Sequence, residues 1–235
     1  MEPLDGAPAF PTSTAAAERV TAFLRAVYGW MFVGLAITAF VAYTIAGSPA
    51  LIGALVSNHF LFLGLFLAQL GVVFFLSARV NRLAPGTATL LFILYSALTG
   101  VTLSVILLAY TGASIATTFV VTAGMFGALA LYGTTTSRSL AGMGQFVFMG
   151  LIGLVLASVV GMFWRNAALE FLISVVGVIV FTGLTAWDAQ RLRQMATSVP
   201  ESQLRSYAIL GALSLYLNFI NLFLFLLRFM GGRRE

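Results

Sequence analysis

The sequence predicts an all-α membrane protein with seven transmembrane helices, six of them surrounding a central C-terminal seventh. Three observations carry this. Of the 235 residues, 60% are hydrophobic and 8% charged, and the mean hydropathy is +1.03; a soluble domain carries about a quarter charged residues. Seven apolar runs approach the roughly 20 residues that a helix needs to cross the hydrocarbon of a bilayer. The last run carries a narrow polar strip, which has to face other protein rather than lipid.

The stretch ahead of the first run, MEPLDGAPAFPTSTAAAERVTAFLR, holds acidic residues and prolines and has no basic segment before an apolar core. It therefore does not read as a cleaved signal peptide. Residues 1–25 read as a disordered tail passing into an amphipathic interfacial lead-in, with the first span, 26–46, acting as an uncleaved signal. The next spans are 60–77, 88–110, 114–132, 144–163 and 168–187, and the seventh is 207–229. The turn TGA between the third and fourth spans is so short that an antiparallel hairpin is expected there. A single membrane domain, 26–230, is followed by a short basic tail, 231–235. Without an internal repeat, a transporter built from inverted halves is not predicted. Gly124 and Gly127 in AGMFGAL, and Gly150, Gly153, Ala157 and Gly161 in GLIGLVLASVVG, predict close helix packing.

There is no cysteine, hence no disulfide and no thiolate metal site. All 12 basic residues are arginines and the net charge is +5, but they fall in loops and at helix ends, a pattern that sets membrane orientation rather than one that binds nucleic acid. Even-numbered loops carry Arg79, Arg82, Arg138, Arg191, Arg193 and Arg205, whereas odd-numbered loops carry only Arg165. This bias predicts a cytoplasmic N-terminus; Arg233 and Arg234 in the tail oppose it.

Few polar side chains interrupt the spans. On the seventh helix Gly211, Ser214, Asn218 and Asn221 recur at three- and four-residue steps and so share one face. Asn218 lies about 16 Å along the axis from Tyr207, near the middle of a ~30 Å core, so this helix is expected at the centre of the bundle. The two amides then serve either as interhelical hydrogen-bonding groups or as the wall of a hydrated path. Asp188, in FTGLTAWDAQRLR, is the one aspartate near any span. It reads either as an interfacial carboxylate near Arg191 and Arg193, or as a cavity-facing group that binds ions or protons. Gln69, Thr99, Thr102 and Ser104 are weaker inward-facing candidates; Glu170, Arg228 and His59 read as interfacial. One histidine without an evident nucleophile, and no cluster of metal-ligating side chains, leave no enzyme reading.

The stretches VYGWMFVGLAITAF (27–40), LYSALTGVTLS (94–104), VIVFTGLTAWDAQRL (178–192) and LGALSLYLNFINLFLFLLRF (210–229) resemble the Bax inhibitor-1 family (the transmembrane Bax inhibitor motif family), in its bacterial YccA- and YbhL-like branch. The resemblance implies six helices around a seventh, a place in the bacterial inner membrane, no cofactor, and a pH-sensitive calcium leak gated by an aspartate pair. Asp188 matches the first aspartate and would contact Ca²⁺; the second position is Asn218 here, which hydrogen-bonds but does not titrate. Asn221 and Ser214 would support the site, and Arg79 or Arg82 would latch onto it. Altered pH dependence and weaker divalent-cation binding are expected. The alternative implied by the same resemblance is a non-conducting regulator of a membrane-bound AAA protease, reached through the N-terminal tail or the loop 188–206.

Overall fold

A computed structural model describes residues 13–79, 82–164 and 166–232. The N-terminal residues 1–12, and Arg165, Arg233 and Arg234 of the orientation argument, lie outside them. All regular elements among the described residues are helices: α1 (Ser13–Ala46), α2 (Pro49–Ser57), α3 (His59–Arg79), α4 (Pro85–Ala109), α5 (Gly112–Thr135), α6 (Ala141–Phe163), α7 (Ala167–Ser198) and α8 (Leu204–Met230). All except α2 are long and apolar enough to cross a membrane. The short helix α2 was not expected. Pro49 opens it, and the Asn58 side chain that follows accepts from the Leu61 amide to start α3.

Two helices outrun their predicted spans. The 34 residues of α1 and the 32 of α7 reach about 51 and 48 Å at 1.5 Å per residue, well beyond a ~30 Å core. Both project at the end of the bundle that holds the α3–α4 and α5–α6 loops, here termed the arginine-rich end. The interfacial lead-in is the first part of α1, where Phe23 is buried and Arg19 donates to the Val199 carbonyl just past α7. The expected end of the sixth span at Trp187 is therefore too early, because Asp188 and the turns after it remain helical inside the bundle.

The centre is α8. It packs directly on α1, α4, α5 and α7, while α3 leans on α4 and α6 on α7 to complete the surround. Its buried face toward α1 and α4 carries Tyr216, which contacts the Phe92 and Tyr95 rings edge-on at 5.8 and 5.9 Å. Thr38 donates to the Ser96 carbonyl (2.9 Å), so the 2.6 Å bond between Thr38 Oγ1 and Tyr216 Oη has the tyrosine as donor. Phe219 meets Phe119 and Phe126 of α5. On the periphery, Gln69 Nε2 donates to the Leu98 carbonyl (2.9 Å) and to Thr102, which fastens α3 to α4.

The expected α4–α5 hairpin does not form as a packed pair. The turn is as tight as predicted, but the far end of α8 is inserted beside it. The Thr111 amide donates to the Gly232 carbonyl (3.2 Å) and the Gly232 amide to Ser114 Oγ (2.9 Å). From there α4 runs along α1 and α5 along α7 and α8.

Close backbone approach also falls elsewhere than the small-residue runs suggest. A Cβ added at Gly124, Gly127 or Gly153 would meet nothing within 4 Å. At Gly133 it would stand 2.1 Å from the Ala186 carbonyl oxygen, a backbone atom of α7 that has no rotamer by which to yield. Gly133→Ala is therefore expected to cost about 1–3 kcal/mol through overpacking, whereas Gly124→Ala stays within about 1 kcal/mol of the parent. Thermal unfolding of the two variants in one detergent checks this ordering.

Candidate functional site

Asp188 and α8 define the site. From the start of α7 to Asp188 is 21 residues, or about 32 Å, which takes the carboxylate through the bilayer toward the arginine-rich end without leaving the bundle. Because α8 runs antiparallel to α7, a four-residue step on α8 sets Ser214 and Asn218 one turn apart against the same point of α7. Both donate to one oxygen: Ser214 Oγ lies 2.6 Å and Asn218 Nδ2 2.8 Å from Asp188 Oδ2. Asp188 is 7% exposed and Asn218 5%. A carboxylate at that burial requires donors, and these two supply them. Among the described residues no hydrogen bond from the protein reaches Oδ1.

Asn221 has a different partner. Its Nδ2 donates to the Leu217 carbonyl of its own helix at 2.8 Å. Since both asparagines meet acceptors, both place their amide nitrogen inward on a bond. The side-chain oxygens of Asn218 and Asn221 are left as the unbonded polar atoms of the strip.

Two cavities meet at Asp188. One, of about 290 Å³, lies toward the arginine-rich end between α3, α7 and α8, with Ser77, Met195 and Gly211 on its walls. The other, of about 330 Å³, lies further along between α6, α7 and α8, with Phe148, Phe181, Asn218 and Asn221 on its walls. Asp188, Arg191, Ser214 and Leu217 line both. One turn beyond Asn221 on α8, the Phe225 ring stacks on Phe181 of the cavity wall, 5.8 Å apart, and lies against Gly177. The exposed Arg191 sits over the Trp187 ring at 5.6 Å.

Of the sequence-predicted residues, Asp188, Asn218 and Ser214 come together and Asn221 follows along the cavity wall. Arg79 and Arg82 do not join them: Arg79 rests 5.8 Å from the Phe75 ring on α3, and Arg82 is exposed in the α3–α4 loop. The cation beside Asp188 is Arg191, one turn further along α7. Glu170, Arg228 and His59 are exposed.

Sequence reasoning passed over two buried groups. Gln190 accepts from the Leu140 amide with Oε1 and donates to the Arg138 carbonyl with Nε2, both at 2.8 Å. Tyr216 and Thr38 close the opposite face of α8. The quoted stretch WDAQRLR contained Gln190, but only its place on α7 against the α5–α6 loop reveals its partners. Among the described residues no three His, Cys, Asp or Glu side chains gather into a metal-binding group.

A family profile described as "Inhibitor of apoptosis-promoting Bax1" matches residues 20–235. The chain belongs to this Bax inhibitor family. The inner membrane protein YbhL of Escherichia coli (strain K12) is similar, at 55% identity over 215 residues that cover 90% of this chain and 92% of YbhL. An uncharacterized protein of Borreliella burgdorferi is 46% identical over 91% of this chain and 93% of its own length. An uncharacterized membrane protein of Streptococcus pyogenes serotype M1 is 34% identical over 89% and 92%. Membership agrees with the resemblance read from residues 178–192 and 210–229, the two stretches that build the Asp188 site.

The two asparagines of this Bax inhibitor family chain are thus predicted to separate in stability. Asn218→Leu leaves Asp188 short of a donor and costs about 1–3 kcal/mol. Asn221→Leu frees only a carbonyl already bonded within its helix and changes stability by less than about 1 kcal/mol. Unfolding midpoints in detergent, read against the parent, decide.

Proposed function

We propose that the chain is a calcium-permeable leak pathway of the bacterial inner membrane, with its control point at Asp188. The observation that carries this reading is the position of Asp188 at the junction of two cavities stacked along the α7–α8 seam. Its Oδ2 is held by Ser214 and Asn218, which leaves Oδ1 and the amide oxygens of Asn218 and Asn221 for a ligand. Carboxylate and amide oxygens are the donor set of a hard cation such as Ca²⁺. One carboxylate with neutral oxygens binds weakly enough to release the ion again, as conduction requires. The Escherichia coli relative is named an inner membrane protein, and seven apolar spans suit the same membrane. By the arginine bias, the arginine-rich end is cytoplasmic.

In this reading the Phe181–Phe225 stack is the apolar barrier of the closed pathway, and α6, which packs chiefly on α7, is the wall that yields. Arg191 lines both cavities and opposes cation entry by its charge. Asn218 stabilises Asp188 without titrating, so the site holds one ionisable carboxylate where a pair would share a proton.

Calcium flux in proteoliposomes across a pH series tests the proposal. The parent chain leaks above empty liposomes; Asp188→Asn lowers the leak by about tenfold, the equivalent of ~1.4 kcal/mol. Arg191→Gln raises the leak. Asn218→Asp, which installs a second carboxylate at hydrogen-bond distance, makes the flux depend more steeply on pH. Folded protein with no flux above empty liposomes, for both the parent and Asn218→Asp, would overturn the reading.

A further inference from the structure

Two clefts open at the arginine-rich end, and their charges differ. One lies between the start of α1 and the start of α8 and holds Glu18, Arg19, Glu201 and Arg205, two acids with two bases. The other, of about 560 Å³, lies between the start of α1, the α5–α6 loop and the end of α7, and holds Arg138 and Arg193, with no carboxylate among its described lining residues. Thr136, Ser137, Ser139, Thr197 and Gln194 line the same cleft.

We propose that this second cleft binds a phosphate ester. Two arginines line one cleft with no opposing carboxylate among its described lining residues, and Arg side chains with hydroxyls are the donors that phosphate oxygens accept. One Arg193 nitrogen is anchored on the Thr134 carbonyl at 2.8 Å, which fixes the side chain at the cleft and leaves its other N–H groups for a ligand.

The loop is fixed as well. Gln190, 7% exposed on α7, bonds through both ends of its amide to Arg138 and Leu140, each at 2.8 Å. The Thr136 hydroxyl accepts from the Arg138 amide at 3.3 Å. The cleft is therefore held open by the fold rather than formed by the ligand. Ala16, Ala17 and Val20 give it one apolar wall, suited to the glycerol portion of an ester. The phosphate belongs either to a lipid headgroup at the membrane surface or to a soluble ester; the binding chemistry is the same and the experiment separates the two.

The full chain, purified in a neutral detergent, is titrated with short-chain phosphatidylglycerol in one arm and with glycerol 3-phosphate in the other, and its unfolding temperature is followed. A saturable rise is expected. With the lipid alone it identifies a headgroup site; with glycerol phosphate as well, a site for soluble esters. Arg138→Gln/Arg193→Gln weakens the apparent affinity by at least about tenfold, whereas Arg205→Gln, in the charge-balanced cleft, leaves it unchanged. Should the double variant fold poorly, Ser137→Glu places a carboxylate on the wall of the same cleft and is expected to abolish the response while the protein stays folded. No response of the parent chain to either probe, or a response that persists in the folded Arg138/Arg193 or Ser137→Glu variant, overturns the proposal.

Discussion

A single carboxylate oxygen sets the register of the bundle. Asp188 Oδ2 takes bonds from Ser214 and Asn218, and an apolar core leaves a carboxylate no tolerable alternative. The two donors lie one turn apart on α8, so the helix has neither rotational nor axial freedom against α7. With α8 fixed on that side, its opposite face falls where Tyr216 reaches Thr38 of α1 between the rings of α4. Polar contacts on two faces of one helix thus specify the neighbours that apolar packing alone would leave interchangeable, since lipid is as apolar as leucine.

Much of this was legible from local sequence. Hydropathy over a window of about 20 residues finds the spans, and the three- and four-residue steps from Gly211 to Asn221 find the inward face of α8, because helical periodicity is a property of the chain itself. Which atoms that face meets is not. Asn218 and Asn221 sit only about 60° apart around the helix, yet one bonds across to Asp188 and the other to its own backbone. The TGA turn shows the same limit: a short turn brings helix ends together and says nothing about their lengths, which α8 separates. Apolar windows also understate α1 and α7, whose outer turns are polar enough to look like loops and are held helical by one another. Glycines invite a similar error, since Gly124 and Gly133 stand in one helix and only the second has a backbone against it.

The surround is uneven. Four helices pack extensively on α8, and two, α3 and α6, rest mainly on a neighbour. The cavities at Asp188 lie behind those two. Those two helices are held by fewer contacts than the α1–α4–α8 side, where a buried hydroxyl chain and edge-on rings resist deformation. The fold accordingly places the Asp188 cavities on its more sparsely packed side and the Tyr216 ring cluster on the other.

Among the described helices the central one, α8, also comes last in chain order. A ribosome feeding this chain to the membrane releases the earlier spans before α8 exists, and domains assemble as their parts emerge. Until α8 arrives, Asp188 lacks both of its donors, and Thr38 on the opposite side lacks Tyr216. The six earlier spans therefore lack these polar contacts, and closure of the bundle waits for α8. A chain cut short before Ser214 would leave the Asp188 carboxylate inside the bundle without either donor, a defect that the remaining apolar helices cannot repair.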